Sequence, residues 1–133
     1  MKKLLILTTF LSSLLMSSVA YAEWAKVSKS DTGDSYYVDF ERIKKHDAKI
    51  YYWSLINNLK PNKYGEISFT SYVEAECERF RFRDLNQKRF KGPMGSGTII
   101  SSTNTPNENW AYPPPNSVAE AELKAVCNYK SMQ

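Results

Sequence analysis

Histidine occurs once in these 133 residues and cysteine twice. That scarcity removes the imidazole-rich clusters on which much metal and acid–base chemistry depends. His46 sits beside Asp47 in a charged turn, with no nucleophile or second ligand nearby in sequence. It reads as a solvated turn residue, lone axial ligation of haem being the one cofactor role left open to it, and no cofactor or metal is expected. Glycine is also sparse, with five in all. Gly92 and Gly97 have the spacing of a phosphate-binding loop, but Thr98 stands where that loop needs its lysine. A nucleotide site is therefore excluded in favour of a flexible hairpin loop. Charge of one sign is scarce too. The formal excess is +4, of which Lys2 and Lys3 contribute two. The remainder is too small to imply nucleic acid. The carboxylate pairs Asp31/Asp34 and Glu120/Glu122 fall in a turn and at a helix start, where such residues are ordinary. No catalytic set remains, and the chain reads as non-enzymatic.

What the sequence does carry begins with its first 22 residues. Met1-Lys2-Lys3 is a short cationic start, Leu4 to Val19 is apolar, and Ala20-Tyr21-Ala22 is the small-x-small pattern of a signal-peptidase site. Cleavage is expected between Ala22 and Glu23. The apolar stretch is interrupted by Thr8, Thr9, Ser12, Ser13, Ser17 and Ser18 and falls short of the roughly 20 residues of a spanning helix. No cysteine lies near the cleavage site to take a lipid anchor. Residues 1–22 are thus a signal peptide and 23–133 one exported domain, periplasmic, secreted or at the cell surface, with no stable membrane anchor.

In an oxidising compartment Cys77 and Cys127 read as a disulfide, for which two cysteines allow one connectivity, with metal binding by two isolated thiols as the alternative. The chain between them alternates strongly. Trp24 to Ser28 and Ser35 to Val38 flank the turn residues Ser30 to Asp34 and predict a hairpin. Asp39 to Ile43 fits one helical turn capped by Asp39, and Lys44 to Asp47 a charged turn. Ala48 to Asn57 reads as a central strand, with Ile50, Tyr52, Ser54 and Ile56 on one face and Tyr51, Trp53 and Leu55 on the other.

The clearest alternation follows, placing Ile67, Phe69, Ser71, Val73, Ala75 and Cys77 on one face against Ser68, Thr70, Tyr72, Glu74 and Glu76. Phe80 and Phe82 have the opposite parity, which predicts a bulge or sharp bend near Glu78-Arg79. A strand to about Arg83, a turn over Asp84 to Gln87, a strand to Lys91 and a last β segment from Thr98 to Ser102 complete the sheet. Ser101 to Asn116 is a loop pinned by Trp110 and Tyr112 and stiffened by Pro113, Pro114 and Pro115. Ser117 with Glu120 is a capping box that opens a helix to about Tyr129. Ala119, Leu123, Val126 and Cys127 share its apolar stripe. The expected fold is α+β, a single antiparallel sheet of about six strands packed against a C-terminal helix that the disulfide tethers.

Several segments together resemble the surface-adhesin protein E family of Gram-negative bacteria. They are Trp24, Tyr36-Tyr37-Val38-Asp39, Tyr52-Trp53-Ser54-Leu55, Cys77 with Arg79, Arg81 and Arg83, Gly92-Pro93-Met94-Gly95-Ser96-Gly97, Trp110, Pro115-Asn116-Ser117-Val118-Ala119-Glu120 and Cys127. The resemblance implies a sheet of about six strands curved around a disulfide-held helix. It also implies binding of host matrix or serum proteins such as laminin, vitronectin and plasminogen. The residues themselves offer a candidate ligand-binding basic stripe of Arg79, Arg81 and Arg83 with Lys88, Arg89 and Lys91 on the neighbouring strand. It would engage acidic proteins, sulfated glycans or lipid phosphates. The competing reading pairs these arginines with Glu74, Glu76 and Glu78, leaving no net site. Tyr36, Tyr37, Tyr51 and Tyr72 are either core residues or a contact patch. A soluble periplasmic structural or envelope-associated role, without a host ligand, is the second functional reading.

Overall fold

A computed structural model describes residues 22–129. The leader expected over residues 1–22 lies outside them except for Ala22. Strands β1 (Ala25–Lys29) and β2 (Ser35–Val38) form the first hairpin, closed by a bond from the Ser30 amide to the Asp34 carbonyl at 2.9 Å. β3 (Lys44–His46) pairs with the start of β4 (Lys49–Asn57), β5 (Ser68–Glu76) and β6 (Arg81–Phe90) follow, and β7 (Ile99–Thr103) lies at the far edge. The antiparallel order β1-β2-β4-β5-β6-β7 gives the six-strand path, with the short β3 beside it. Helix α1 (Val118–Cys127) covers one face.

Alternation predicts the core because one parity of β4 and β5 meets the helix. Ile50, Tyr52, Val73 and Ala75 are buried together with Val38, Leu123 and Val126. Ser117 caps α1, its hydroxyl accepting from the Glu120 amide at 3.1 Å, so the first turn's free amides are partly satisfied where the chain leaves the proline run. The Cys77–Cys127 disulfide joins the end of β5 to the last turn of the helix, with Cα atoms 5.7 Å apart. The sharp bend expected near Glu78-Arg79 is a four-residue turn from Cys77 to Phe80, in which Phe80 takes a left-handed backbone with φ of 51°.

Four local expectations are corrected. Lys44 to His46 are a strand, not a turn, because Asp47, at φ of 54°, reverses the chain in the left-handed conformation that aspartate tolerates. Asp39 does not cap the following 3-10 turn (Phe40–Arg42); its carboxylate accepts from the Arg42 guanidinium instead. Residues 84–87 are no turn, since β6 runs unbroken from Arg81 to Phe90 opposite the whole of β5. Asp84 faces Val73 and Asn86 faces Tyr72, so Leu85 is the extra residue of a bulge. Finally, the Gly92–Gly97 loop is tied down. The Ser68 hydroxyl donates to the Gly92 carbonyl at 2.6 Å and accepts from the Gly95 amide at 2.9 Å, while the Met94 amide donates to Asn57 Oδ1 at 2.8 Å. A Cβ on Gly92 would lie 2.6 Å from the Ser96 carbonyl oxygen, which explains the glycine there.

Candidate functional site

The bulge decides what becomes of the basic stripe. Up to Asp84 the odd residues of β6 point away from the helix; beyond Leu85 the even ones do. Arg81, Arg83 and Lys88 therefore lie on the outer face, opposite Glu76, Glu74 and Thr70, whereas Arg89 lies opposite Phe69 on the helix face. All but Arg79 and Lys91, which flank the strand, belong to β6 itself and not to two neighbouring strands. The six residues are not one surface.

The outer-face arginines are also paired. Arg83 donates to Glu74 at 2.8 Å and Arg81 to Glu76 at 2.9 Å, while Lys49 meets Glu74 at 2.6 Å and Arg79 lies 3.8 Å from Glu76. Burial pushes the Glu74 carboxyl upward, but the hydrogen bonds and charges of Lys49 and Arg83 outweigh it and hold it below its ordinary value. The Arg81 hydrogen bond likewise lowers Glu76. Arg89 is bound to Glu66 at 3.0 Å and lies over the Phe69 ring. Among the described residues, Lys88 and Lys91 have no ion-pair partner.

What the outer face does present is an aromatic and cationic lattice. Beyond β7 the chain continues along the edge of β6, where the Phe82 and Ala111 amides and carbonyls exchange bonds of 3.0 and 2.8 Å. This carries Trp110 over the strands, its ring centre 4.3 Å from the Arg81 guanidinium, 4.6 Å from that of Arg83 and 5.6 Å from the Lys49 ammonium. Next to it Tyr51 stacks on Tyr72 at 6.2 Å, Tyr72 meets Trp53 at 4.9 Å, and Arg42 lies 5.7 Å from the Trp53 ring. Tyr112, at the edge of this lattice, is 63% exposed. The expected pin at Trp110 is thus a member of the surface.

The helix face holds something the sequence reading passed over. Between α1 and the sheet lies a partly open cavity of about 360 Å³, walled by Ile56, Phe69, Val73, Phe82 and Val118 and reached by the polar groups of Tyr36, Tyr52, Ser71, Asp84, Gln87 and Glu122. Burial raises the Glu122 carboxyl to about 7; the Tyr52 phenol's hydrogen bond opposes that rise and the negative Asp84 adds to it. Burial likewise raises Asp84 against hydrogen bonds from Gln87 and Ser71, and raises the Tyr52 phenol. Glu122 stands three residues after Ala119 and four before Val126, so the helical stripe that predicts the core already contained it. Asp84 gave no such signal, because only the continuity of β6 turns it inward. Tyr36 lines this cavity, while Tyr51 and Tyr72 lie on the outer face, so the tyrosines divide between the two sides.

Among the described residues no group of three or more metal-ligating side chains converges, and no helix is long and apolar enough to cross a membrane. The family model of surface-adhesin protein E matches residues 24–128. No curated protein matches the chain. The fold is similar to that of Haemophilus influenzae protein E. Its crystal form II matches at 13% identity over 81% of this chain and 89% of that one, with a TM-score of 0.61. The selenomethionine form matches at 15% identity over 84% and 92%, also at 0.61. The protein E of a non-typeable strain matches at 13% over 83% and 78%, at 0.57. At such identities the likeness is one of fold, whereas the family match spans nearly the whole described chain. The chain belongs to the surface-adhesin protein E family.

Proposed function

We propose that this protein is a non-enzymatic, exported binding module of adhesin type whose ligand is a host matrix or serum protein. The family is one of adhesins and not of enzymes, which supports the class. The observation that carries the reading is the outer face, where Trp110 and Trp53 are set among Arg81, Arg83, Lys49 and Arg42. Tryptophan, tyrosine and arginine are the residues that dominate protein–protein binding energy. Because Arg81 and Arg83 are already neutralised by Glu76 and Glu74, the face attracts a partner by stacking and hydrogen bonding more than by bare charge. Lys88, on the same face, supplies charge that steers an acidic partner toward it.

The test is binding of the exported protein to immobilised laminin, vitronectin and plasminogen, together with protease accessibility on intact cells. Trp110→Ala is expected to weaken binding about tenfold with the fold retained, and Lys88→Ala to slow association less than that. Added salt should change affinity only modestly. Unchanged binding in Trp110→Ala, or full protection of the protein in intact cells, would overturn the reading. Protection would favour a soluble periplasmic role without a host ligand.

A further inference from the structure

We propose that the cavity beneath the first turns of α1 is a binding site for a small organic cation, an ammonium or amidinium group on a compact apolar body, held by Glu122 and Asp84. The cavity belongs to the helix face and is separate from the outer surface on which the adhesin reading rests. Four observations favour such an occupant.

The volume, about 360 Å³, lies within the range of small-molecule pockets. Its walls are mainly apolar, from Ile56 on β4, Phe69 and Val73 on β5, Phe82 on β6 and Val118 on α1. Its polar groups converge from every element around it: Tyr36 from β2, Tyr52 from β4, Ser71 from β5, Asp84 and Gln87 from β6, Glu122 from α1. Among the described residues no lysine, arginine or histidine lines it. Arg89, on this face, lies over the Phe69 ring but is held by Glu66.

That last contrast decides the chemistry. On the outer face, Glu74 and Glu76 each have two basic partners, but the two carboxyls that share this cavity have none among the described residues. Two acids facing one low-polarity space ionise together only at a free-energy cost, which a counter-charge would offset. A cation entering the cavity supplies it, donating to Glu122 and Asp84 while its apolar part displaces water from the Phe69 and Val73 wall. An anion would meet two carboxylates, and a neutral molecule would leave the acids unpaired. Tyr52, which lines the same cavity, adds no charge to it at neutral pH.

The experiment is a titration of the isotope-labelled exported protein, at about pH 8, with benzylammonium and with its neutral and anionic counterparts, benzyl alcohol and benzoate. Benzylammonium should shift the amide signals of Val73, Ala119 and Glu122, while benzyl alcohol binds about tenfold more weakly and benzoate not at all. Glu122→Gln, nearly identical in shape, should cost benzylammonium about fivefold, and Asp84→Asn a comparable amount. Glu122 ionises as the pH passes about 7, so wild-type affinity should fall on moving to about pH 5 while that of Glu122→Gln changes much less. Absence of cavity shifts with benzylammonium, equal binding of the alcohol, or affinities that neither substitution alters would overturn the proposal. Should one variant fail to fold, the other and the three-ligand comparison on wild type still decide it.

Discussion

The two faces of β4 and β5 are built from alternate residues of the same strands, and they solve burial in opposite ways. On the outer side Tyr51, Trp53, Tyr72, Glu74 and Glu76 are covered by cations and by Trp110, so each buried carboxylate is held between basic groups. On the inner side Ile50, Tyr52, Val73 and Ala75 close against Leu123 and Val126, and the carboxyls that share the cavity, Glu122 and Asp84, have no cation among the described residues. The difference teaches that burial alone does not set the charge state of an acid. Glu74 is the more thoroughly enclosed by surface area, yet its partners keep it ionised, while Glu122 is pushed toward neutrality.

If the inner face carries the stability and the outer face the recognition, inner changes should cost most. Replacing both cysteines by alanine removes a link between residues 50 apart and is expected to lower the unfolding free energy by about 4 kcal/mol, read by urea unfolding of the oxidised wild type against the variant. Leu123→Ala, at a fully buried site between helix and sheet, should cost about 3 kcal/mol in the same measurement. Glu74→Gln leaves Lys49 and Arg83 without their shared partner but near solvent, so about 1 kcal/mol is expected, with ligand binding more affected than folding. An outer-face loss as large as that at Leu123 would erase the distinction.

How far the sequence reveals these faces depends on the element. The long alternation from Ile67 to Cys77 and the stripe of Ala119, Leu123, Val126 and Cys127 place strand, helix and disulfide together, because in both the period marks the face on which Val73, Ala75, Leu123 and Val126 meet. The basic stripe fails as a surface at a single residue. Leu85 adds one to the count of β6 and exchanges the faces of everything beyond it, and a bulge leaves no mark in composition. Asp84-Leu85-Asn86-Gln87 has the residues of a turn, but pairing with the whole of β5 overrides that local preference. The candidate cavity was half legible: Glu122 lay within the apolar stripe, whereas its partner Asp84 needed the tertiary pairing.

Because the faces hold their acids in opposite states, they should respond to pH in opposite directions. Glu74 and Glu76 lie below their ordinary 4.5 in the folded protein, so the stability they contribute is present above that value and is lost as pH falls through their lowered ones. Glu122 is raised from 4.5 to about 7, so the folded state binds its proton more tightly and stability declines as pH rises between those values, by on the order of 3 kcal/mol, before levelling. Unfolding free energy followed from about pH 3 to pH 8 in wild type and Glu122→Gln is therefore the direct test. The account predicts a wild-type curve that climbs out of the acid range and then sags toward neutrality, and a variant curve that keeps the climb and loses most of the sag. Two curves that run parallel above about pH 5 would contradict it.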